Sequence, residues 1–203
     1  YVGLMSRIQS NGVIENINFV DATISAKGYA SIIVGINYGS IENCYTEGSI
    51  NGLSYVGGIT GCNIGDISCS IFSGTVTGTL VNVGGIAGYN TGGIKDTATS
   101  GTITGASYVG GVAGRNSDNN AYISNSYSLC YVTGGAATGG LVGGSDFNAV
   151  ISNSYWNTVT SGWIISDAGE GKTTAEMKQK STYVGWDFGN VWGMNSECNN
   201  GYP

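Results

Sequence analysis

Histidine is absent from this chain of 203 residues, which contains only 7 lysines and arginines but 13 acidic residues. Without histidine, Ser-His-Asp hydrolases, Cys-His proteases and HExxH zinc enzymes are excluded. A formal net charge of −6 argues against nucleic acid as a partner, since binding it requires a basic surface. No apolar run approaches the roughly 20 residues that span a bilayer, so no membrane span is expected.

Proline occurs once, and charged residues make up only 10% of the chain. The 36 glycines show no Gly-X-Y period, which excludes collagen. Disorder is not expected, because isoleucine, valine, leucine and tyrosine are plentiful. No signal peptide is visible, and Tyr1 lies inside a recurring pattern. This pattern predicts a piece of a longer protein.

A repeat dominates the sequence. Four segments superimpose directly: Tyr55–Gly61, Asn82–Gly88, Tyr108–Gly114 and Ala137–Gly143. Degenerate copies stand at 1–6 and 31–35. The last position of the motif recurs at intervals of 29, 26, 27, 26 and 29 residues, which is typical of a repeat architecture.

Each copy carries two further apolar columns. The first contains Ile41, Ile67, Ile94, Ile123 and Ile151, and the second contains Ile50, Val76, Ile103, Val132 and Val159. The segments around them alternate apolar with small or polar residues, as half-buried strands do. We therefore predict an all-β fold, a parallel and right-handed β-solenoid of about six coils of 26–29 residues, over residues 1–161. Residues 162–203 form the predicted C-terminal cap.

Two features point to the corners of each coil. The recurrent Gly-Gly pair permits either positive φ or a close approach between coils. A second column, of mostly short polar residues, can satisfy the backbone groups of a turn. It contains Asn16, Asn43, Cys69, Asp96, Asn125 and Asn153.

The repeat resembles the GLUG-motif family, named for its Gly-Leu-x-Gly core. The residues that carry the resemblance are Gly57–Gly61, Gly84–Gly88, Gly110–Gly114 and Gly139–Gly143, each followed by an Ile-x-Asn-Ser-Tyr type of block. The resemblance covers residues 1 to about 161. It implies a stalk or binding module of a large secreted or surface-attached protein, and it implies no reaction.

All four tryptophans lie in the last 48 residues, around the only good helix candidate, which runs from Thr174 to about Lys180. Thr173 and Glu176 form a capping-box pattern at its start. We favour a tryptophan-rich cap that covers the apolar end of the solenoid, with one short helix. The alternative is a carbohydrate-binding platform built from Trp163, Trp186 and Trp192.

Threonines flank the second apolar column on both sides. If the fold is a solenoid, they form two outward rows, and flat threonine arrays can bind ice or a crystalline polysaccharide. The simpler interpretation is that threonine occurs there because it has a high propensity for exposed strand positions. One row contains Ser49, Thr75, Thr102 and Thr158, and the other contains Asn51, Thr77, Thr104, Thr133 and Thr160.

Other candidate sites are weaker. Asp118 and Asp146 lie in the longest turns and are a minimal candidate for a metal site, because calcium needs six or more oxygens. Five cysteines without a CxxC spacing predict neither a zinc site nor a complete disulfide framework, although a Cys44–Cys69 or Cys62–Cys69 bridge stays open. The segment 166–173 resembles a phosphate-binding loop but lacks its first glycine.

We expect a non-catalytic structural or adhesive module, extracellular or at the cell surface, with no cofactor. Expected partners are a protein or polysaccharide of a host or environmental surface and other domains of the same longer chain. A β-helical polysaccharide lyase or hydrolase ranks last, because the acidic residues do not recur in register.

Overall fold

In a computed structural model that describes residues 1–197 and 199–203, the chain winds into a parallel β-solenoid of about six coils. Each full coil passes through four parallel sheets, A to D in the order in which it meets them. Strands that are too short to be stable alone are paired on both sides by the coils above and below. The predicted all-β solenoid is therefore confirmed.

The strands are numbered along the chain. Sheet A contains β7 (Val56–Gly57), β11 (Val81–Gly84), β15 (Ser107–Gly110) and β20 (Ala136–Gly139). Sheet B contains β1 (Met5–Ile8), β4 (Val34–Asn37), β8 (Thr60–Asn63), β12 (Ala87–Asn90), β16 (Ala113–Asn116) and β21 (Val142–Ser145). Sheet C contains β2 (Val13–Glu15), β5 (Ser40–Glu42), β9 (Asp66–Ser68), β13 (Gly93–Lys95), β17 (Tyr122–Ser124) and β22 (Val150–Ser152).

Sheet D is the longest sheet. It contains β3 (Asn18–Ser25), β6 (Tyr45–Gly52), β10 (Ile71–Gly78), β14 (Ala98–Thr104), β18 (Tyr127–Ser128), β19 (Tyr131–Thr133), β23 (Tyr155–Asn157) and β24 (Glu170–Lys172). In the first two coils, single bridges from Val2 to Ala30 and from Ala30 to Val56 extend sheet A.

The strand register reproduces the period of the sequence. Along sheet B, Met5 pairs with Val34, and the same column continues through Thr60, Ala87, Ala113 and Val142. Equivalent residues of the repeat therefore lie directly above one another.

The two predicted apolar columns line the core. Ile41, Ile67, Ile94 and Ile123 are at most 1% exposed. Ile50, Val76, Ile103 and Val132 are at most 2% exposed. Each such side chain contributes about 1.5–3 kcal/mol by leaving water. Val159 departs from the prediction, because it lies outside sheet D and is 66% exposed.

The Gly-Gly pair serves close approach and does not supply the positive φ. A Cβ on Gly58 would lie 2.2 Å from the carbonyl oxygen of Gly85 and 2.3 Å from the ring of Phe72. Positive φ occurs two residues before the pair, at Tyr55 (56°) and its equivalents. The bend between sheets A and B is thus pressed against the inner face of sheet D.

The polar corner column is a stack of residues in the left-handed conformation, and in the described part of the chain none of its side chains bonds a turn backbone group as predicted. Its six residues, from Asn16 to Asn153, have φ between 45° and 58°. Asn and Asp tolerate this conformation better than other non-glycine residues, which explains their recurrence. The amide of Asn43 donates to the Asn16 side-chain oxygen at 2.6 Å.

The C-terminal part contains two short α-helices where one was predicted. The capping-box helix, α2 (Thr174–Met177), has the expected reciprocal bonds between Thr173 and Glu176. The additional helix, α1 (Thr158–Ser161), replaces the strand predicted there. The Asn157 side chain accepts from the backbone N–H groups of Val159 and Thr160, so the chain turns into a helix.

Residues 183–197 and 199–203 then return along the side of the solenoid, and we call this segment the strap. The strap packs against the outer face of sheet D at Ala98, Tyr127 and Tyr155. The tyrosine hydroxyl of Tyr127 donates to the carbonyl oxygen of Pro203 at 2.6 Å. The predicted cap therefore covers a side of the solenoid as well as its end.

Candidate functional site

The outer face of sheet D carries threonine columns in register. Ser49, Thr75 and Thr102 pair across three coils. Asn51, Thr77, Thr104 and Thr133 pair across four coils. Thr75 and Thr133 are exposed, and the other three threonines are half-buried. Crystal-face binding by these rows stays a prediction.

Thr158 and Thr160 do not extend these rows. Both belong to α1, where Asn157 caps the backbone. Tyr131 takes the place of a threonine in the first row and is 55% exposed. The threonine array is therefore shorter than predicted.

The tryptophans do not form an open platform. Trp186 and Trp192 are 7% and 8% exposed and pack with Tyr127 in an aromatic cluster. Trp163 is half-buried against the core, and its indole N–H donates to the Val132 carbonyl oxygen at 2.8 Å. A sugar ring stacks on an exposed aromatic face, so the structure corrects the expectation that these three residues present one.

A groove of about 610 Å³ lies between the strap and the corner column. Its acidic side chains are Glu15, Glu42 and Asp96. Asp96 is buried, accepts from the indole N–H of Trp192 at 3.4 Å and lies 3.5 Å from the Lys95 amine. The strap therefore forms one wall of the groove, and the groove could not be predicted from the repeat pattern.

Cys69 also lines this groove and is the natural candidate for a nucleophile. Burial, followed by the carboxylates of Asp96 and Glu42, raises the pKa of its thiol. A catalytic cysteine needs the opposite shift, because the thiolate is the reactive form. The groove therefore does not activate its own thiol.

Asp118 and Asp146, the two predicted metal ligands, each accept hydrogen bonds from groups of the protein. Asp146 accepts from Ser117 and, at 2.9 Å, from Arg115, and these bonds lower the pKa of its carboxyl. Asp118 accepts from the neighbouring Asn119 backbone N–H at 2.5 Å. Within residues 1–197 and 199–203, no three His, Cys, Asp or Glu side chains cluster in a way suited to a metal ion.

The four described cysteines, Cys44, Cys62, Cys69 and Cys130, carry free thiols. Neither bridge left open by the sequence is formed. All but Cys69 are buried, so they act as small core or near-core side chains. The fifth, Cys198, lies outside the described residues.

The segment that resembles a phosphate loop has structural roles. The Ser166 hydroxyl accepts from the backbone N–H groups of Leu141 and Val142, closing the end of the stack. Lys172 lies in β24 and forms an ion pair with Glu170. The segment then enters the capped helix α2, as the simpler interpretation predicts.

Sequence reasoning missed a ladder of tyrosines beside sheets A and B. The rings of Tyr29 and Tyr55 stack with centroids 4.4 Å apart and planes 7° apart. The ring centroids of Tyr1 and Tyr29 lie 4.6 Å apart, and the rings of Tyr55 and Tyr89 form a T-shaped pair with centroids 5.9 Å apart. The sequence contains a pattern that could have predicted the ladder, because Tyr1, Tyr55 and Tyr108 occupy the same position of the repeat.

Arginines accompany this ladder. The guanidinium of Arg7 lies 5.4 Å from the Tyr38 ring centroid, and that of Arg115 lies 5.1 Å from the Tyr108 centroid. These distances are those of cation–π contacts. Both arginines of the chain therefore lie against a tyrosine ring, Tyr38 or Tyr108.

No protein-family model matches the chain. A "Putative Gly-rich membrane protein" of Evansella cellulosilytica is 36% identical over 98 residues, covering 44% of this chain and 11% of that protein. Halomucin of Haloquadratum walsbyi is 35% identical over 60 residues, covering 30% of this chain and 1% of halomucin. The chain thus spans about a tenth or less of the length of these curated relatives.

The fold has a counterpart among solved structures. A "putative immunoglobulin A1 protease" from Bacteroides ovatus superimposes with a TM-score of 0.73 over 98% of this chain and 72% of the other, at 24% identity. This likeness shows the solenoid fold. Of the helices in the described part of the chain, none is both long and apolar enough to cross a membrane.

Proposed function

We propose that the chain is a non-catalytic structural and adhesive module of a secreted or cell-surface protein, as the GLUG resemblance implies. The observation that carries the proposal is the in-register stack of about six coils, in which recurring positions hold core, corner and ladder residues. A continuously hydrogen-bonded stack is suited to act as a spacer and to display side chains at fixed intervals. Any ligand would bind to side chains that the stacked coils present on their outer surface.

The comparisons support the location. Halomucin and the Gly-rich membrane protein carry names of surface-type proteins, and each is far longer than the matched segment. As partners we propose other domains of a longer chain and a protein or polysaccharide outside the cell.

The contacts in the groove support the proposal of a non-catalytic module. Burial and the carboxylates of Asp96 and Glu42 raise the pKa of the Cys69 thiol, and the most buried carboxylate, Asp96, accepts from Trp192 and lies 3.5 Å from the Lys95 amine. General acid or base work needs a group free to exchange a proton with the substrate. The groove supplies no such group at Asp96.

Surface labelling of intact source cells tests the location. A membrane-impermeant amine reagent should modify the exposed Lys27 and Lys95, and the medium should be probed with an antibody to the module. A cytoplasmic protein is the control. Finding the module only inside the cell contradicts the proposal, as does hydrolysis of a glycan or protein that the Asp96→Asn variant loses.

A second candidate function, crystal-face binding, is favoured by the paired columns of Thr75 and Thr102 and of Thr77 and Thr104. The test is ice recrystallisation with wild type and the Thr77→Lys/Thr104→Lys variant. An Asn119→Lys/Asn120→Lys variant adds the same charge on an exposed turn as the control. Equal behaviour of all three proteins rejects this function.

A further inference from the structure

Charge is segregated around the solenoid. The side formed by sheets A and B and their connections comprises residues 1–9, 26–38, 53–64, 79–92, 105–116 and 134–145, and we call it the tyrosine face. It contains none of the 13 acidic residues of the chain but three of the seven basic ones, Arg7, Lys27 and Arg115. In a chain of net charge −6, this side is positive.

The same face carries six of the thirteen tyrosines: Tyr1, Tyr29, Tyr38, Tyr55, Tyr89 and Tyr108. Tyr1 is 59% exposed and the other five are half-buried. Tyrosine and arginine are, with tryptophan, enriched among the residues that contribute most to binding, since each combines apolar contact with a polar end.

Two of the three cations are free to bind. In the part of the chain that the structure describes, no carboxylate forms an ion pair with Arg7 or Lys27. Arg115 is paired with Asp146 at 2.9 Å and is partly neutralised. The positive charge of the face is therefore concentrated at its N-terminal coils.

The two arginines of the tyrosine face are aligned along the solenoid axis. Arg7 and Arg115 belong to one register column of sheet B, through Ile36, Cys62 and Tyr89. Four coil steps separate them, or about 19 Å at the usual strand spacing of about 4.8 Å. Tyr89 lies in this column, and a tyrosine hydroxyl can donate and accept a hydrogen bond.

We infer that the tyrosine face binds an anionic linear polysaccharide running along the solenoid axis. The negative groups of such a ligand complement the acid-free face, and its sugar hydroxyls suit the row of phenols. A ligand that contacts both ends of the ladder must be long and extended, as a linear polymer is. This inference rests on the proposed function and names the ligand class of that module.

The test measures binding of the purified chain to polygalacturonate and dextran sulfate, with uncharged dextran as reference. We expect binding to the two polyanions, weakened as added salt screens the charges, and no binding to dextran. The Arg7→Gln/Lys27→Gln variant should lose about tenfold or more in affinity, equivalent to about 1.4 kcal/mol. Tyr55→Phe, which keeps the ring and removes the hydroxyl, should bind more weakly than wild type.

The matched control is Lys95→Gln/Lys180→Gln, which removes two positive charges outside the tyrosine face. Its affinity should stay close to that of wild type. An equal loss in both double variants overturns the inference, because net charge alone would then explain binding. Equal binding to dextran overturns it as well.

A second copy of the chain is the competing occupant. If the free protein self-associates and Arg7→Gln/Lys27→Gln disperses the oligomer without altering glycan binding, the face is a self-association surface and the inference fails. None of these results bears on surface labelling or on the search for hydrolysis. Failure of the ligand assignment is thus distinguishable from failure of the proposed function.

Discussion

The side-chain amide of Asn63 donates a hydrogen bond to the side-chain oxygen of Asn90, 2.8 Å away in the next coil. Asn37 donates to Asn63 at 2.8 Å and Asn90 donates to Asn116 at 2.7 Å in the same way. All four residues are fully buried. The amides of Asn37, Asn63 and Asn90 also donate to backbone carbonyls, so the ladder ties side chains and turns of successive coils together.

Replacing Asn90 by alanine should therefore destabilise the solenoid. The substitution leaves the buried side-chain oxygen of Asn116 without its donor, whereas the Asn63 amide keeps the Gly65 and Gly93 carbonyls as acceptors. The carbonyl of Gly92 likewise keeps a bond from the Tyr122 N–H. An unsatisfied buried group costs about 1–3 kcal/mol, so we expect a loss of that size in the free energy of unfolding. Denaturant unfolding measures it.

The control for this variant is Asn51→Ala. Asn51 is an exposed strand residue whose substitution should change the free energy of unfolding by no more than about 0.5 kcal/mol. Equal effects of Asn51→Ala and Asn90→Ala would show that the ladder does not contribute to stability.

Gly58 should be among the least replaceable residues of the chain. A Cβ there would meet both the Gly85 carbonyl and the Phe72 ring closer than any real contact allows. Gly58→Ala must move the bend away from sheet D, and we expect either no folded protein or a loss of several kcal/mol, of the kind that overpacking produces. Circular dichroism and thermal unfolding are the measurements.

Gly28→Ala is its control. No atom lies within 4 Å of a Cβ built on Gly28, and its φ is not positive. A glycine of this kind can be replaced with a gain of up to about 1 kcal/mol. Similar melting temperatures for Gly28→Ala and Gly58→Ala would contradict the close-approach role of the Gly-Gly pair.

The solenoid could be predicted from the sequence because the residues that stack between coils recur at a regular interval. The Asn ladder repeats as well, as Gly-x-Asn at Asn37, Asn63, Asn90 and Asn116, but asparagine close to glycine is also typical of an ordinary turn. The α1 helix was not readable, because Thr158–Thr160 has the same Thr-apolar-Thr pattern as the strand residues 102–104. The side chain of Asn157 decides between the two structures.

The strap and the groove could not be predicted for a different reason. Trp192 contacts Asp96 across 96 residues of sequence, and Trp186 donates to the carbonyl oxygen of Asn153. Neither contact repeats with the coils, so periodicity carries no information about it. The sequence predicts a cap over the end of the solenoid. In the structure, Tyr127 and Tyr155 of sheet D pack against the strap and hold it along the side of the solenoid.

Truncating Trp186 should release the strap and leave the coils folded. Its ring packs on Tyr183 and Trp192, with centroids 4.6 Å and 4.5 Å away. A buried Trp→Ala substitution costs about 3–5 kcal/mol, which exceeds what a short segment on one side of a sheet can absorb. Limited proteolysis should cut Trp186→Ala within residues 183–203, while the β-sheet circular dichroism of the solenoid is retained.

Val184→Ala is the control, because Val184 lies in the same segment but is 69% exposed. It should resist the protease as wild type does. Loss of β-sheet signal in Trp186→Ala would show that the strap is required for the coils to fold, contrary to this prediction.

The buried thiol of Cys130 should make stability depend on pH in the alkaline range. Cys130 is fully buried, and burial raises the pKa of its thiol from the usual 9.0 to about 11. Because the pKa is higher in the folded protein, its contribution to stability is complete below about pH 9 and is lost as pH rises through 11. A shift of this size corresponds to roughly 2–3 kcal/mol.

Denaturant unfolding from pH 8 to pH 11.5 of wild type and Cys130→Ala tests this. The variant is less stable at pH 8 because a cavity replaces the sulfur, but it lacks the titrating group. Tyrosines and lysines titrate in both proteins, so the difference in unfolding free energy should shrink as the pH rises. A constant difference would show that the Cys130 thiol ionises as easily in the folded chain as in the unfolded one.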